Sequence, residues 1–279
     1  MNYKRKIDFA IKLLRSIPND GPVEVSYSGG KDSDVILELV KMSGIEYRAI
    51  YKDTSIDPPG THKHCRDMGV EILRPGQTFS QIIAERGFPN RWRRFCCEIL
   101  KEYKVLDRAV QGIRRSESTK RAALYKEPEV CRLYHGKEKV RVYLPILEWD
   151  LEDVARFIEE RGIKCAPVYY EEQGCFHPER RLGCLCCPLQ NIHKRLQEFL
   201  RYPGMVKLYF RGGHKFLINK PLSASARKFD ADPYKLLFCH IFYDNYDDYK
   251  NGISGGLFPE LTIDSKQYLE EYFKVDLTL

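Results

Sequence analysis

The sequence predicts an α/β fold: a mostly parallel sheet with helices on both faces, followed by a helical C-terminal region. Three observations carry that expectation. Strand-like and helix-like segments alternate through the first two-thirds of the 279 residues, as they do in successive parallel strand–crossover units. The strand-like runs are short and bounded by Gly or Pro. Beyond Asn191 the chain becomes rich in aromatic residues and takes a helical period.

A helix over residues 3–16 places Ile7, Ala10, Ile11 and Leu14 on one face. Val23–Tyr27 reads as a strand that ends in Gly29-Gly30. A second helix starts near Asp32, carries Val35, Ile36, Leu39 and Val40, and stops at Gly44. Residues 47–51 and Glu71–Leu73 read as strands, with Pro58-Pro59-Gly60 breaking the chain between them. Helices are expected at Phe79–Arg86 and 97–104, then a strand ending at Gly112-Ile113. Residues 130–146 read as a hairpin turning at His135-Gly136-Lys137. Asp150 suits an N-cap for a helix over 151–160, ended by Gly162. Residues 174–188 hold too many Gly, Pro and Arg residues for a regular element and are expected to form a loop. Further helices are expected at 196–202, 205–209, 234–243 and 268–273. The expected division is a nucleotide domain over 1–190 and a helical region over 191–279.

With 43% hydrophobic and 30% charged residues, the composition is that of a globular protein. Residues 1–12 alternate as an amphipathic helix rather than a secretory leader, and no run of about 18 apolar residues occurs. A cytoplasmic protein without a membrane partner is the expectation. The net charge of +7 points to a phosphate-bearing partner. Arg91-Trp92-Arg93-Arg94, Lys120-Arg121, Arg180-Arg181 and Lys194-Arg195 extend that to nucleic acid or another polyanion, although any one pair also suits a solvated face.

The strongest motif is Ser26-Tyr27-Ser28-Gly29-Gly30-Lys31-Asp32-Ser33. A strand, a glycine turn and a helix start gather backbone N–H groups around one concavity at the positive end of a helix dipole. Lys31 adds a point charge facing an anion there and is expected to make little core contact. The first glycine of a Walker A loop is missing, and a bare Gly-Gly turn also suits an ordinary strand–helix connection.

Ten cysteines without a leader point away from a disulfide scaffold. Cys184-x-x-Cys187 has the spacing that brings two thiolates to one metal, with Cys175 nine residues earlier and Cys96-Cys97 far upstream. A redox dithiol and buried free thiols are the alternatives. Cys239 sits among Leu236, Leu237, Phe238, Ile241 and Phe242 and reads as a core thiol.

Ser28-Gly29-Gly30-Lys31-Asp32-Ser33 matches the S-G-G-K-D-S signature of the ATP pyrophosphatase (PP-loop) superfamily, a Rossmann-like, adenine nucleotide alpha hydrolase-like group. Three further segments resemble its phosphoadenosine phosphosulfate (PAPS) reductase-like branch. Lys52-Asp53-Thr54 resembles the turn after the second strand, with Ser55 in place of a glycine. Gly112-Ile113-Arg114-Arg115-Ser116-Glu117-Ser118 resembles its phosphate-side loop. Pro145-Ile146-Leu147-Glu148-Trp149 with Asp153-Val154 resembles a third motif. The resemblance covers residues 20–190. It implies binding of ATP or a related adenylate, with Mg²⁺, through Ser26–Ser33, Asp53, Thr54, Gly112, Arg114 and Arg115. Lys31 and Arg114 are the residues expected to stabilise phosphate charge during reaction.

The tandem Cys96-Cys97 with Cys184 and Cys187 resembles the cysteine pattern that holds a [4Fe–4S] cluster in adenylyl-sulfate reductases. Cys175 with Cys184 and Cys187 resembles the ATP pyrophosphatase component of DNA phosphorothioation systems, also an iron–sulfur protein. The resemblance favours Cys97, Cys175, Cys184 and Cys187, with Cys96 as first substitute and Cys186 turned away. Zinc is the alternative metal, with His177 or His193 replacing a thiolate. The E-C-G-[IL]-H segment that carries the nucleophile of sulfonucleotide reductases is missing. ATP pyrophosphatase, adenylylation or sulfur-transfer chemistry is therefore expected ahead of thiol-dependent reduction, and a non-catalytic nucleotide-binding accessory role is the third reading.

Overall fold

The computed structural model of the chain describes residues 2–134, 138–171, 174–243, 245–254 and 264–278. Strand β1 (Val23–Tyr27) is buried except at half-buried Ser26, with Val23, Val25 and Tyr27 in the main core. It belongs to a sheet of six strands in the order β3-β2-β1-β4-β6-β5. The others are β2 (Tyr47–Lys52), β3 (Glu71–Leu73), β4 (Arg108–Val110), β5 (Glu129–Leu133) and β6 (Lys139–Tyr143). All neighbours run parallel except β5 and β6, which pair antiparallel from Glu129↔Tyr143 to Leu133↔Lys139. That pair is the expected hairpin, whose turn residues 135–137 lie outside the described residues. The chain moves outward from β1 to β3 and resumes on the other side at β4. A crevice therefore opens at the strand C-termini between β1 and β4, where α/β sheets bind ligands.

The helices are α1 (Tyr3–Arg15), α2 (Lys31–Ser43), α3 (Thr61–Asp67), α4 (Phe79–Arg86), α5 (Phe95–Leu100), α6 (Thr119–Leu124) and α7 (Leu151–Arg161). They continue with α8 (Ile192–Arg201), α9 (Pro203–Asn219), α10 (Ala224–Lys228), α11 (Pro233–Phe242), α12 (Tyr246–Ser254) and α13 (Ser265–Phe273). Among the described residues, no helix is long and apolar enough to cross a membrane.

The chain folds as two compact units, Met1–Pro75 with Glu98–Gly183, and Gly76–Cys97 with Cys184–Leu279. Sequence order suggested a division at residue 190. The structure instead starts the second unit's main segment at Cys184 and adds residues 76–97 to it. In the first unit α1 and α7 pack on α2, and α2 on β1. Leu14, Val35, Ile36, Leu39, Val40 and Phe157 fill the space between them. Asp150 caps α7 in a reciprocal capping box with Asp153, and left-handed Gly44 ends α2. In the second unit α9 packs on α4, α8 and α11, and α11 on α13. Its interior is aromatic: Phe79 and Phe199 each meet Tyr209 edge-to-face at 5.4 Å.

Candidate functional site

β1 ends at Tyr27 and α2 begins at Lys31, so Ser28, Gly29 and Gly30 make the whole connection. Gly29 has φ +76°, a region where side-chain-bearing residues are strained. Gly30 is the N-cap of α2 and no side chain caps it, which leaves the positive end of the helix at the crevice. Ser33 Oγ donates to the Gly30 carbonyl at 2.7 Å and tightens the turn. Beneath it, fully buried Asp34 accepts from the Tyr27 hydroxyl and, at 2.9 Å, from His64 Nε2. That carboxylate ties β1, α2 and α3 together. Burial first, then the Asp34 charge, raises the Tyr27 hydroxyl and pushes the Cys65 thiol up to about 12.

A cavity of about 220 Å³ lies over this turn, lined by Ser26, Ser28, Gly30, Lys31, Asp32 and Ser33 among others. Lys31 is only 4% exposed, with Nζ 3.1 Å from Asp32 Oδ2 and 5.4 Å from the Tyr169 ring centroid. Asp32 Oδ1 accepts from Arg114 Nε at 2.7 Å, and Arg114 Nη1 donates to Ser116 Oγ at 3.0 Å. Arg121 and Arg181 line the same cavity with Glu117, which ion-pairs with Arg121. Burial first, then the Arg181 charge, lowers the Arg121 guanidinium pKa. Cations crowded in this way favour an anion among them. Burial also pushes the Tyr169 hydroxyl up to about 12, against the Lys31 and Leu182 backbone N–H groups.

A second cavity of about 350 Å³ shares Ser26, Ser28 and Gly112 with the first. Ile50, Tyr51, Ile113 and Tyr134 give it apolar and aromatic walls. Its polar groups are oriented: Gln111 donates to the Tyr134 hydroxyl at 2.7 Å and accepts from Arg132 at 3.1 Å. Asp57 also lines it. Asp53, Asp57 and His62 bring their ligand atoms within 4.8 Å of one another, a set able to hold a divalent cation. Asp53 Oδ1 accepts from Ser55 N at 2.7 Å, and buried Thr54 donates its N–H to Asp57 at 2.9 Å.

The first unit thus brings Ser26–Ser33, Gly112 and Arg114 together. Arg115 is directed elsewhere in the structure. Its guanidinium donates to the Tyr125 carbonyl at 2.8 Å and also binds the Lys126 carbonyl and Glu148, so it braces a neighbouring loop. Arg114 is extended and a 3₁₀ turn begins at Arg115, which sends the two side chains apart. Tyr169, Asp57 and His62 carried no motif in the sequence, whereas Glu117 lay in the phosphate-side loop segment and the pairs Lys120-Arg121 and Arg180-Arg181 were visible.

Gly112 admits no side chain. A Cβ there would lie 2.9 Å from the Asp32 carbonyl oxygen and 3.0 Å from its carbon. Gly112→Ala must push the Arg114 loop away from α2, and is expected to destabilise the chain by about 1–3 kcal/mol. Gly76→Ala, with open space around its Cβ, is the matched control. Urea unfolding of the two variants checks this; equal midpoints would refute it.

The second unit contains Cys96, Cys97, Cys184 and Cys187. The Cys96 thiol is raised far above its ordinary value, first by its hydrogen bond with Cys97, then by burial, then by the Cys97, Cys187 and Cys184 sulfurs. The four thiols offer the donor chemistry of a thiolate-bound metal, but among the described residues they do not form a group whose ligand atoms all lie within 4.8 Å of one another. The loop bearing two of them is anchored: Cys186 N–H donates to Glu198 at 2.6 Å, and the Tyr209 hydroxyl to the Cys186 carbonyl at 3.2 Å. Cys186 itself is fully buried. Cys175 is exposed and belongs to the first unit. So does His177, which meets Glu171 and Glu179; His193 is exposed on α8.

The chain is 37% identical over 153 residues to an uncharacterized 37.8 kDa protein of Escherichia phage 186, covering 48% of this chain and 42% of that protein. It is 31% identical over 218 residues to the uncharacterized protein MJ0066 of Methanocaldococcus jannaschii, covering 71% and 43%. The chain therefore spans less than half the length of these relatives. Among solved structures, Candida glabrata FMN adenylyltransferase aligns at 16% identity and TM-score 0.42, covering 60% of this chain and 58% of that one. Candida auris phosphoadenylyl-sulfate reductase in a phosphate complex aligns at 14% and 0.40, covering 59% and 87%. The family model of the phosphoadenosine phosphosulfate reductase domain matches residues 22–190, well over half of the chain and all of the nucleotide-loop crevice, and the chain belongs to that family.

Proposed function

We propose that the chain binds ATP or a related adenylate in the two joined cavities and activates an acceptor by adenylylation, with release of pyrophosphate. The observation that carries this reading is the uncapped N-terminus of α2 beside Lys31, Arg114 and Arg121, at one end of a cavity that continues into an aromatic chamber. Phosphates would occupy the cationic end, with adenosine against Tyr51 and Tyr134. An acceptor nucleophile attacks the α-phosphorus, the bond to the β-phosphate oxygen breaks, and pyrophosphate leaves with its negative charge. Lys31 and Arg114 stabilise the charge that develops, held in place beforehand by Asp32 and Ser116. Mg²⁺ would offset the remaining phosphate charge, and Asp53 and Asp57 are the carboxylates placed to take it. The acceptor adenylate is also the species that a sulfur donor could displace, which connects this chemistry to sulfur transfer.

Cys96, Cys97, Cys184 and Cys187 are the ligand set we favour for a [4Fe–4S] cluster, because they share one unit and one electrostatic field. Such a cluster supplies one-electron chemistry when bound.

The reductase alternative needs a reactive thiolate, and Cys239 opposes it. The residue is buried on α11, where burial pushes its thiol up to about 12. Neighbouring His240 stacks on Tyr209, and burial brings it down to about 3, so it carries no charge that could activate Cys239. Incubation with ATP and Mg²⁺ should release pyrophosphate slowly, while adenylyl sulfate or its 3′-phosphorylated form with thioredoxin should yield no sulfite. Thioredoxin-dependent sulfite that vanishes in Cys239→Ser would restore the reductase. Absence of both activities would favour a nucleotide-binding accessory role.

A further inference from the structure

The second unit divides its charge along the chain in a way that nucleotide chemistry does not require. Residues 86–97 and 184–228 contain thirteen Lys and Arg against one acidic residue, Glu198. From residue 229 onward the balance reverses, with four lysines against ten acidic residues. Glu198 does not offset the basic part at the surface, because its carboxylate is held by Cys186 N–H and the Gln190 side chain. Most of the excess is at the surface. Arg86, Arg91, Arg93, Lys194, Arg201, Arg211, Lys215, Lys220, Arg227 and Lys228 are all exposed.

At the head of this stretch the loop between α4 and α5 displays an aromatic ring. Trp92 is 94% exposed, whereas the chain's other tryptophan, Trp149, is 1% exposed. A bare indole costs free energy in water. The turn beneath it is nevertheless built: Asn90 Oδ1 accepts from both Trp92 N–H and Arg93 N–H at 2.9 Å. Arg91 donates to the Gln190 carbonyl at 3.3 Å. Arg93 lies over the Phe95 ring at 5.7 Å, and Arg86 over the same ring at 5.9 Å. Arg86 and Arg93, with Lys220 and Phe216, then line a groove of about 480 Å³. Its acidic member, Glu85, accepts from Gln77 at 2.9 Å.

We infer that this face of the second unit is a docking surface for single-stranded RNA, with an unpaired base stacked on Trp92 and the phosphates running along Arg93, Arg86 and Lys220. An exposed aromatic ring between cations is the arrangement that single strands use, since every base offers a π-face and every step carries a phosphate. A duplex keeps its bases stacked internally and offers none to Trp92. RNA is favoured over DNA because folded RNA permanently displays unpaired loops and bulges, and aromatic side chains recognise those. The inference does not depend on ATP binding, since every residue it names lies in the second unit and the nucleotide loop lies in the first.

The test is fluorescence anisotropy on the full chain with a labelled oligouridylate, compared with oligothymidylate of equal length, duplex RNA and heparin. Wild type should bind the oligouridylate more tightly than duplex RNA or heparin and at least as tightly as oligothymidylate, with affinity falling steeply as salt rises. Trp92→Ala should weaken it about tenfold or more and Trp92→Phe should largely restore it. Arg93→Ala should lower the salt slope by about one. Trp92 and Arg93 are exposed, so none of these variants threatens folding. ATP binding measured on the same samples should not change. Equal affinity for duplex RNA or heparin, or an unaffected Trp92→Ala, would reduce the surface to a general polyanion patch and overturn the stacking model. Tighter binding of oligothymidylate would overturn the choice of RNA.

Discussion

Cys184→Ser and Cys187→Ser should each yield a colourless protein, and so should Cys96→Ser and Cys97→Ser, whereas Cys131→Ser and Cys175→Ser should stay brown. The expectation follows from how four thiolates stabilise a cluster. Each supplies a strong bond that water does not replace, and loss of one exposes iron to solvent and oxygen. Cys96, Cys97, Cys184 and Cys187 lie in one compact unit, and the Cys96 thiol is raised by the other three. Cys175 is exposed in the first unit, so its variant decides between this set and the one that the phosphorothioation-like spacing favours. The measurement is absorbance at about 400 nm with iron analysis of anaerobically purified protein, at about four irons per chain in the wild type. Circular dichroism shows whether each variant still folds. Stoichiometric zinc in a colourless wild type would remove the cluster and keep the four-cysteine site. A colourless Cys175→Ser beside a brown Cys96→Ser would reverse the ligand choice.

How much of this was legible in the sequence depended on the kind of signal. β1 and α4 have the bounds the pattern predicts, because a buried parallel strand needs a short apolar run and Thr78 and Gly87 bracket α4; the short edge strand β3 also has its predicted bounds. The nucleotide loop was legible because one contiguous motif encodes strand, turn and helix start. What failed was whatever depends on distant parts meeting. Helix α3 (Thr61–Asp67) is nearly all polar and shows no apolar period; it is helical because Thr61, His64 and Cys65 are buried beneath the loop. Asp57 and His62 converge on Asp53 only after the Pro58–Gly60 turn has formed. Helix α9 runs straight through Gly212-Gly213, a pair that reads as a stop, because both glycines pack tightly against neighbouring side chains. Residues 76–97 read as part of the nucleotide domain because they sit inside it in sequence, while α4 packs on α9.

Position in sequence also misjudges individual side chains, and Lys31 is the case with a measurable consequence. A phosphate-facing lysine was expected to make little core contact, yet Lys31 is 4% exposed, stacked on Tyr169 and paired with Asp32. Lys31→Ala should therefore do two things. It should weaken adenine-nucleotide binding by about 1.5–3 kcal/mol, or roughly 10- to 150-fold, through loss of a charge-assisted phosphate contact. It should also cost about 1 kcal/mol of folding stability through the lost stem packing. Asp32 keeps its bond to Arg114, so no unpaired buried carboxylate adds to that cost. Lys31→Met separates the two effects, because the stem remains while the charge is gone: stability returns and affinity does not. Calorimetric titration with ATP and Mg²⁺, with urea unfolding of the same three proteins, reads both quantities. Wild-type affinity in Lys31→Met would mean that the lysine only props the turn, and the case for phosphate at the α2 N-terminus would then rest on Arg114 and Arg121 alone.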